Sequence, residues 1–441
     1  MEKISNLLKD ALKSNVKGRM IRSVLANIYD KGAVLLIQLL TIPILTHMWG
    51  VDGYGLWLML MTAPTYIALS DMGLGTAAGV KLTQYATKKD YQSALDVLHS
   101  TIAVVLGTVS IAIFCVIGYA IWYRVHGRIF AGFNAEVISI TIIYIAIYAF
   151  ILTQMNILNV VWRATEKYAF AMFFNGTLII LEGFVVIIIA LWGKSIEYAA
   201  LGLLSIRAIG YVIFVFLLKK YESWVLIGIR HAKRVVMRNL LGPSIAALGL
   251  TAAIALSVQG IILVIGVTLG AAAAAIFGAT RTIVRAPLQL AGLVLRPSIP
   301  ELTRAFVNQD IALVKKINRV NLKVTLWIML PFSLVLALAG EKIIFIVSAG
   351  KIEPPFLVLL FLILGTNFHA LWNTLSVPLI SLNKQSVFSY KYLIFIIFII
   401  FIIYYLSNID LENMSILLIF PEIALFFYLV FYFYKKNEIA K

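Results

Sequence analysis

The chain has 441 residues, 62% hydrophobic and only 13% charged, with a mean hydropathy of +0.97. Water-soluble domains carry about 25% charged residues, so the composition excludes a soluble enzyme and defines a polytopic membrane protein. The formal charge of +17 would suggest nucleic acid in a soluble chain; here it is read as the positive-inside bias of cytoplasmic loops, and no nucleic-acid partner is expected.

Residues 1–25 do not form a span. Ile4, Leu7, Leu8, Ala11, Leu12 and Val16 recur at helical spacing, with Lys3, Lys9, Lys13 and Lys17 between them, the pattern of an amphipathic helix lying on the cytoplasmic surface. The first apolar segment is too long for a cleavable signal peptide. Twelve spans are expected, near 26–48, 54–74, 98–122, 137–160, 170–192, 197–218, 242–267, 271–294, 322–340, 355–378, 388–406 and 414–434. An even number puts both termini on one side. If that side is the cytoplasm, its tails and loops hold 28 Lys and Arg, while the opposite loops hold five. This asymmetry predicts cytoplasmic N- and C-termini. The one cysteine, Cys115, lies in an apolar run and cannot build a disulfide framework.

The hydrophilic segment from Lys219 to Leu240 is basic at its ends and apolar in its middle, so it is expected to lie along the inner leaflet. It divides the chain into an N-terminal lobe, 1–220, and a C-terminal lobe, 221–441, of six spans each. Six spans return each half to its starting side, so the halves are expected to be parallel repeats.

Four cations fall inside spans: Lys31, Arg207, Arg281 and Arg285. An arginine at a helix centre costs about 2.5–3.5 kcal/mol on insertion scales, and such residues normally face a water-filled cavity. Arg281 and Arg285 are four apart, about 40° from one another on a helix face, and Arg296 returns to nearly that face. Two guanidinium forks one turn apart suit a phosphate or pyrophosphate. A shifted helix would instead let Arg285 and Arg296 snorkel to the interface, but that leaves Arg281 unexplained.

Gln154, Asn156 and Asn159 in the fourth span, with Gln259 and Asn373, are candidates either for sugar hydroxyls or for interhelical hydrogen bonds. Asp30, Glu182 and His369 are candidates for coupling to H+ or Na+. Asp30 and Lys31 point about 100° apart and need not pair. A Glu182–Arg207 pair would be structural, whereas a free Glu182 could carry a proton. Glu422 follows Pro421 and is open to either reading. No nucleotide-binding, HExxH or GxSxG motif occurs, and no cofactor or metal is expected.

The run Tyr54-Gly55-Leu56-Trp57, then Tyr66, then Leu69-Ser70-Asp71-Met72-Gly73-Leu74-Gly75 resembles the signature of Wzx-type polysaccharide and O-antigen flippases. These are members of the multidrug/oligosaccharidyl-lipid/polysaccharide (MOP) exporter superfamily. The TIPILTHMWG end of the first span and the RPSIPELTRAF segment fit as well. The resemblance implies a V-shaped, MATE-like bundle of two six-helix lobes around a cationic cavity. It implies export of an undecaprenyl-pyrophosphate-linked oligosaccharide, and partners in the polysaccharide polymerase and chain-length machinery. Two alternatives remain: a cation-coupled multidrug exporter of the same superfamily, and a membrane-embedded polymerase or ligase. Cationic drugs would be repelled by the arginines, and a polymerase or ligase would need a large outer loop that this chain lacks.

Overall fold

The computed structural model describes residues 16–70, 73–382, 384–406 and 409–439. Asp71, the amphipathic segment up to residue 15 and the side chain of Arg296 lie outside the described part. Every regular element described is helical, and ten helices among the described residues are long and apolar enough to span a membrane.

The first helix, α1 (Val16–Met48), runs without interruption through residue 26, where a surface helix was expected to give way to a span. It ends at Gly50, whose φ of +74° glycine tolerates best. The span expected over 54–74 is then two helices, α2 (Gly50–Leu60) and α3 (Ala63–Leu69). Pro64 has no N–H to donate into the preceding turn, so the helix restarts there. After α4 (Leu74–Thr87) come four long helices: α5 (Tyr91–His126), α6 (Ala135–Ala164), α7 (Tyr168–Leu191) and α8 (Ile196–Tyr221). A non-helical strap leads to α9 (Arg234–Ala255), a π-helical turn at Leu256–Gly260, and α10 (Ile261–Leu269).

The expected span at 271–294 is also broken, into α11 (Ala271–Val284) and α12 (Ala286–Val307). Pro287 cannot donate to the carbonyl of Ile283, and it disfavours the α conformation at Ala286. The break falls at Arg285. The chain closes with α13 (Ile311–Val347), α14 (Phe356–Ser381), α15 (Ser386–Tyr405), α16 (Leu411–Leu417) and α17 (Ile419–Ile439). Twelve uninterrupted spans are therefore not what forms: the second span of each half is discontinuous.

Turn chemistry shows the internal repeat that hydropathy only suggested. Gly50 and Gly270, both at positive φ, stand 220 positions apart, as do Lys89 and Gln309 at φ +60° and +56°. Asp90 and Asp310 follow at the same offset. Their N–H groups close the preceding helices on the carbonyls of Tyr85 (3.0 Å) and Ala305 (2.9 Å). Their carboxylates cap the next helix by accepting from Ser93 N (3.1 Å) and Leu313 N (2.8 Å). The Ser93 hydroxyl and, next, its N–H hold the Asp90 carboxyl below its ordinary value.

The chain divides into two compact units: Met1–Thr41 with Ala63–Leu248, and Ile42–Thr62 with Gly249–Lys441. This differs from a single boundary at residue 220 in two ways. The strap stays with the first unit because His99 Nε2 meets Leu226 O at 2.7 Å and His231 N donates to His99 Nδ1 at 2.9 Å. Lys233 adds a bond to Ser100 and an ion pair to Asp96. The core of this unit surrounds Trp162 and Phe214.

The 42–62 hairpin joins the second unit because α2 lies directly on α11. Asp52 Oδ1 accepts from Ala272 N at 3.1 Å, capping α11, and Thr46 Oγ1 donates to Ser348 O at 3.2 Å. A Cβ on Gly55 would stand 1.8 Å from the Ala271 carbonyl oxygen, which is backbone and cannot yield. Gly55→Ala is therefore expected to lower the thermal midpoint by several degrees, in keeping with an overpacking penalty of about 1–3 kcal/mol. An unchanged midpoint in detergent would show that the two helices part freely. A second core gathers around Trp372, Phe388, Tyr392 and Leu425.

Candidate functional site

The second unit holds a small cavity of about 40 Å³. Its polar wall groups come from five places in the chain. The π-helical turn at Leu256–Gly260 places Ser257 on it; such turns often mark functional sites. The C-terminal end of α11 brings Arg281 and, at the proline break, Arg285. A cation there also meets the exposed carbonyl end of the helix favourably. α14 supplies Gly365, Thr366 and His369, α16 supplies Ser415, and α17 supplies Glu422.

Arg281 is 8% exposed, and its Nη1 has no hydrogen-bond partner among the described residues. The guanidinium carbon sits 5.3 Å from the centre of the Phe277 ring. No described carboxylate forms an ion pair with Arg281 or Arg285. Buried side-chain donors are normally satisfied; this guanidinium N–H lies on the cavity wall with no hydrogen-bond partner among the described residues.

The opposite sign is present but occupied. Glu422 Oε2 accepts from His369 Nδ1 (3.1 Å) and from Trp372 Nε1, while Oε1 accepts from Tyr392 (2.8 Å). Three donors satisfy an ionised carboxylate. Sequence alone leaves this acid open to a structural or a functional reading; the cavity places it in the site. Its only local signal is Pro421-Glu422 ahead of the apolar run of its helix, and its three partners lie on two other helices.

Of the residues expected at an anion site, Arg281 and Arg285 share this cavity, and His369 lines it with them. Arg207 belongs to the first unit and is already saturated. Its Nη2 donates to Glu182 Oε2 at 2.7 Å and its Nε stands 2.5 Å from Oε1. Tyr148 donates to the same carboxylate at 3.2 Å and lies beneath the guanidinium. Both charges are buried, so the arrangement is the locked one and leaves Arg207 no free fork for a ligand. Asp30 and Lys31, despite their angular separation, do pair at 2.9 Å, because the long lysine stem bends back; Asn175 donates to the other oxygen of Asp30 at 2.7 Å.

The residues expected to contact sugar are divided between the two units. On α6, Gln154 is buried with its Nε2 unpartnered and Asn159 is half-buried with its Oδ1 unpartnered, while Asn156 points outward. Gln259 and Asn373 are half-buried and are not on the cavity wall. Among the described residues no group of three or more His, Cys, Asp or Glu is placed to hold a metal ion.

The architecture is that of a multi-pass membrane protein, with ten helices among the described residues long and apolar enough to cross a membrane. No family model and no curated protein sequence matches the chain, but solved structures do. The inward-facing form of a multidrug resistance MATE family transporter of the MOP superfamily superimposes with a TM-score of 0.68 at 14% identity. The match covers 92% of this chain and all of that one. The MATE multidrug transporter DinF-BH gives 0.67 at 12% identity over 96% of each chain. A MOP superfamily transporter from Pyrococcus furiosus, described as having a binding pocket of reverse polarity that suggests a different function, gives 0.57 at 15% identity, covering 98% and 97%. The chain therefore has a MATE-like fold.

Proposed function

We propose that this protein is a flippase that moves an undecaprenyl-pyrophosphate-linked oligosaccharide from the cytoplasmic to the periplasmic leaflet of a bacterial inner membrane. The observation that carries the reading is the buried, unpartnered guanidinium of Arg281 beside Arg285 on a cavity wall. Two adjacent guanidinium groups neutralise a pyrophosphate diester and offer it forked donors. Ser257, Thr366 and Ser415 add hydroxyls to the same wall; Ser257 and Ser415, whose protons go to Ile254 O and Leu411 O, can accept from sugar hydroxyls. The reading agrees with the motif resemblance at Tyr54–Gly75 and with the absence of a nucleotide-binding motif.

The fold alone supports a multidrug exporter equally well, since two of the neighbours above are multidrug transporters. The cavity charge separates the readings: an unpaired arginine repels a cationic drug and attracts an anionic headgroup. The Pyrococcus furiosus neighbour, with its reverse-polarity pocket, is an example of this fold described as having a different function.

The discriminating experiment reconstitutes the protein in liposomes. One set carries a fluorescent lipid-linked oligosaccharide whose transbilayer movement is read by quenching; the other is loaded with a cationic dye. Protein-dependent flipping without dye transport is the expected result. Dye transport without flipping would establish the exporter instead.

A further inference from the structure

We infer that the strap at residues 222–233, with the first turns of α9, is a recognition surface for anionic phospholipid in the leaflet it faces. The inference does not depend on the cargo proposed above.

Packing decides which strap side chains face outward. α8 ends at Tyr221, just after Lys219 and Lys220, so the strap begins where a span meets the interface. Val225 is buried and Ile227 packs on the core of the first unit, while Leu226 and Ile229 are 55% and 57% exposed. The strap is therefore apolar on both sides, and only one side covers the core. Its backbone is pinned to α5. His99 meets Leu226 O and accepts from His231 N, and Ser100 accepts from Lys233 N at 2.9 Å. Trp224 stacks on Tyr91 with ring centres 5.1 Å apart. Leu226 and Ile229 are thus presented from a fixed frame, and seating them in a bilayer orders little further chain.

The charges identify the headgroup. The two buried carboxylates beside the strap are already taken. Lys167 pairs with Glu222 at 2.7 Å, Trp224 Nε1 donates to its other oxygen at 3.0 Å, and Lys233 pairs with Asp96. Arg230, Arg234 and Arg238 are exposed and take part in no ion pair among the described residues. On α9, Arg234, Val235 and Arg238 fall within an arc of about 100°. Val235 is 71% exposed, while Val236 packs on the core. Aliphatic side chains among unpaired arginines at the end of a span fit a lipid: the apolar groups enter the acyl boundary and the guanidinium forks meet phosphate. A soluble anion would leave Leu226 and Ile229 uncovered. A zwitterionic headgroup carries its own ammonium, so the unneutralised arginines favour an anionic one.

Fluorescence quenching with the full-length protein in nanodiscs tests this. Cys115→Ser removes the native thiol, and Ile229→Cys carries a bimane label. Spin-labelled phosphatidylglycerol or phosphatidylcholine is added at equal mole fraction to a phosphatidylcholine bilayer. The anionic lipid is expected to quench as strongly as about fivefold more of the zwitterionic one, the preference of a single cation near a lipid surface being about that size. High salt should erode the preference. Arg230→Gln/Arg234→Gln/Arg238→Gln should bring the two lipids level while quenching by phosphatidylcholine persists, which shows the strap still seated. The matching triple lysine variant should keep most of the preference. Equal quenching by the two lipids with the arginines intact, or no quenching by either, would overturn the inference. A preference abolished by unlabelled undecaprenyl pyrophosphate, stoichiometric with the protein, would also overturn it by assigning the surface to the proposed cargo. An undiminished preference supports the phospholipid.

Discussion

Arg281→Ala is expected to weaken binding of a pyrophosphate diester about 10- to 150-fold, the loss of one charge-assisted phosphate contact of about 1.5–3 kcal/mol. In cells that depend on this protein, surface polysaccharide should fall to background. Arg281→Lys should retain part of both, since the charge remains but the fork is gone. The variant should also fold at least as well as wild type. An unpaired guanidinium in a largely buried position destabilises the protein that carries it, and removing it relieves that penalty. Titration and a thermal melt check the two halves of this expectation. A stable Arg281→Ala protein that still exports polysaccharide would remove the residue from the transport path.

Arg207→Met should do the reverse. It leaves the Glu182 carboxylate, 5% exposed, without its ion partner, a loss of about 3–5 kcal/mol for breaking one side of a buried pair. Glu182→Gln strands the guanidinium in the same way. Loss of monodisperse protein on size exclusion, or a large fall in thermal midpoint, is expected for each single variant. The double variant Glu182→Gln/Arg207→Met places no net charge in the first unit's core and should recover most of the stability and the flipping activity. A double variant that folds like wild type and fails to flip would show that the pair takes part in transport. Of the two intramembrane arginines one is saturated and one orphaned, and the proposed function assigns them different roles.

Hydropathy and charge counting were enough to find the long helices, because a membrane helix must satisfy its backbone internally over about 20 apolar residues. They could not place the breaks. Arg285 sits at a helix end because Pro287 follows it, and Pro64 restarts the second span; both prolines are visible in sequence, but an apolar window averages over them. Arg281 and Arg285 were legible as a pair from their spacing and their depth. Arg207 looked equivalent by depth, and only the position of Glu182 on the neighbouring helix distinguishes it. Glu422 was the least legible: Trp372, His369 and Tyr392 meet it from 30 to 53 positions away, a convergence that no local pattern encodes. Gln154 and Asn156 show the converse, since two neighbouring polar residues on one helix face opposite environments.

The central claim is that the cavity of the second unit is electropositive and receives the substrate headgroup. The native thiol Cys115 is exposed and is first replaced by serine. A single cysteine is then placed at Gly365, a cavity position where a Cβ meets only Ile419, at 3.8 Å. Its rate of reaction is measured with an anionic and a cationic methanethiosulfonate of similar size, with and without lipid-linked oligosaccharide. The expected result is faster modification by the anionic reagent, reversal of that preference in Arg281→Ala, and protection by the lipid-linked oligosaccharide. Faster modification by the cationic reagent, with no protection by the oligosaccharide, would contradict the claim.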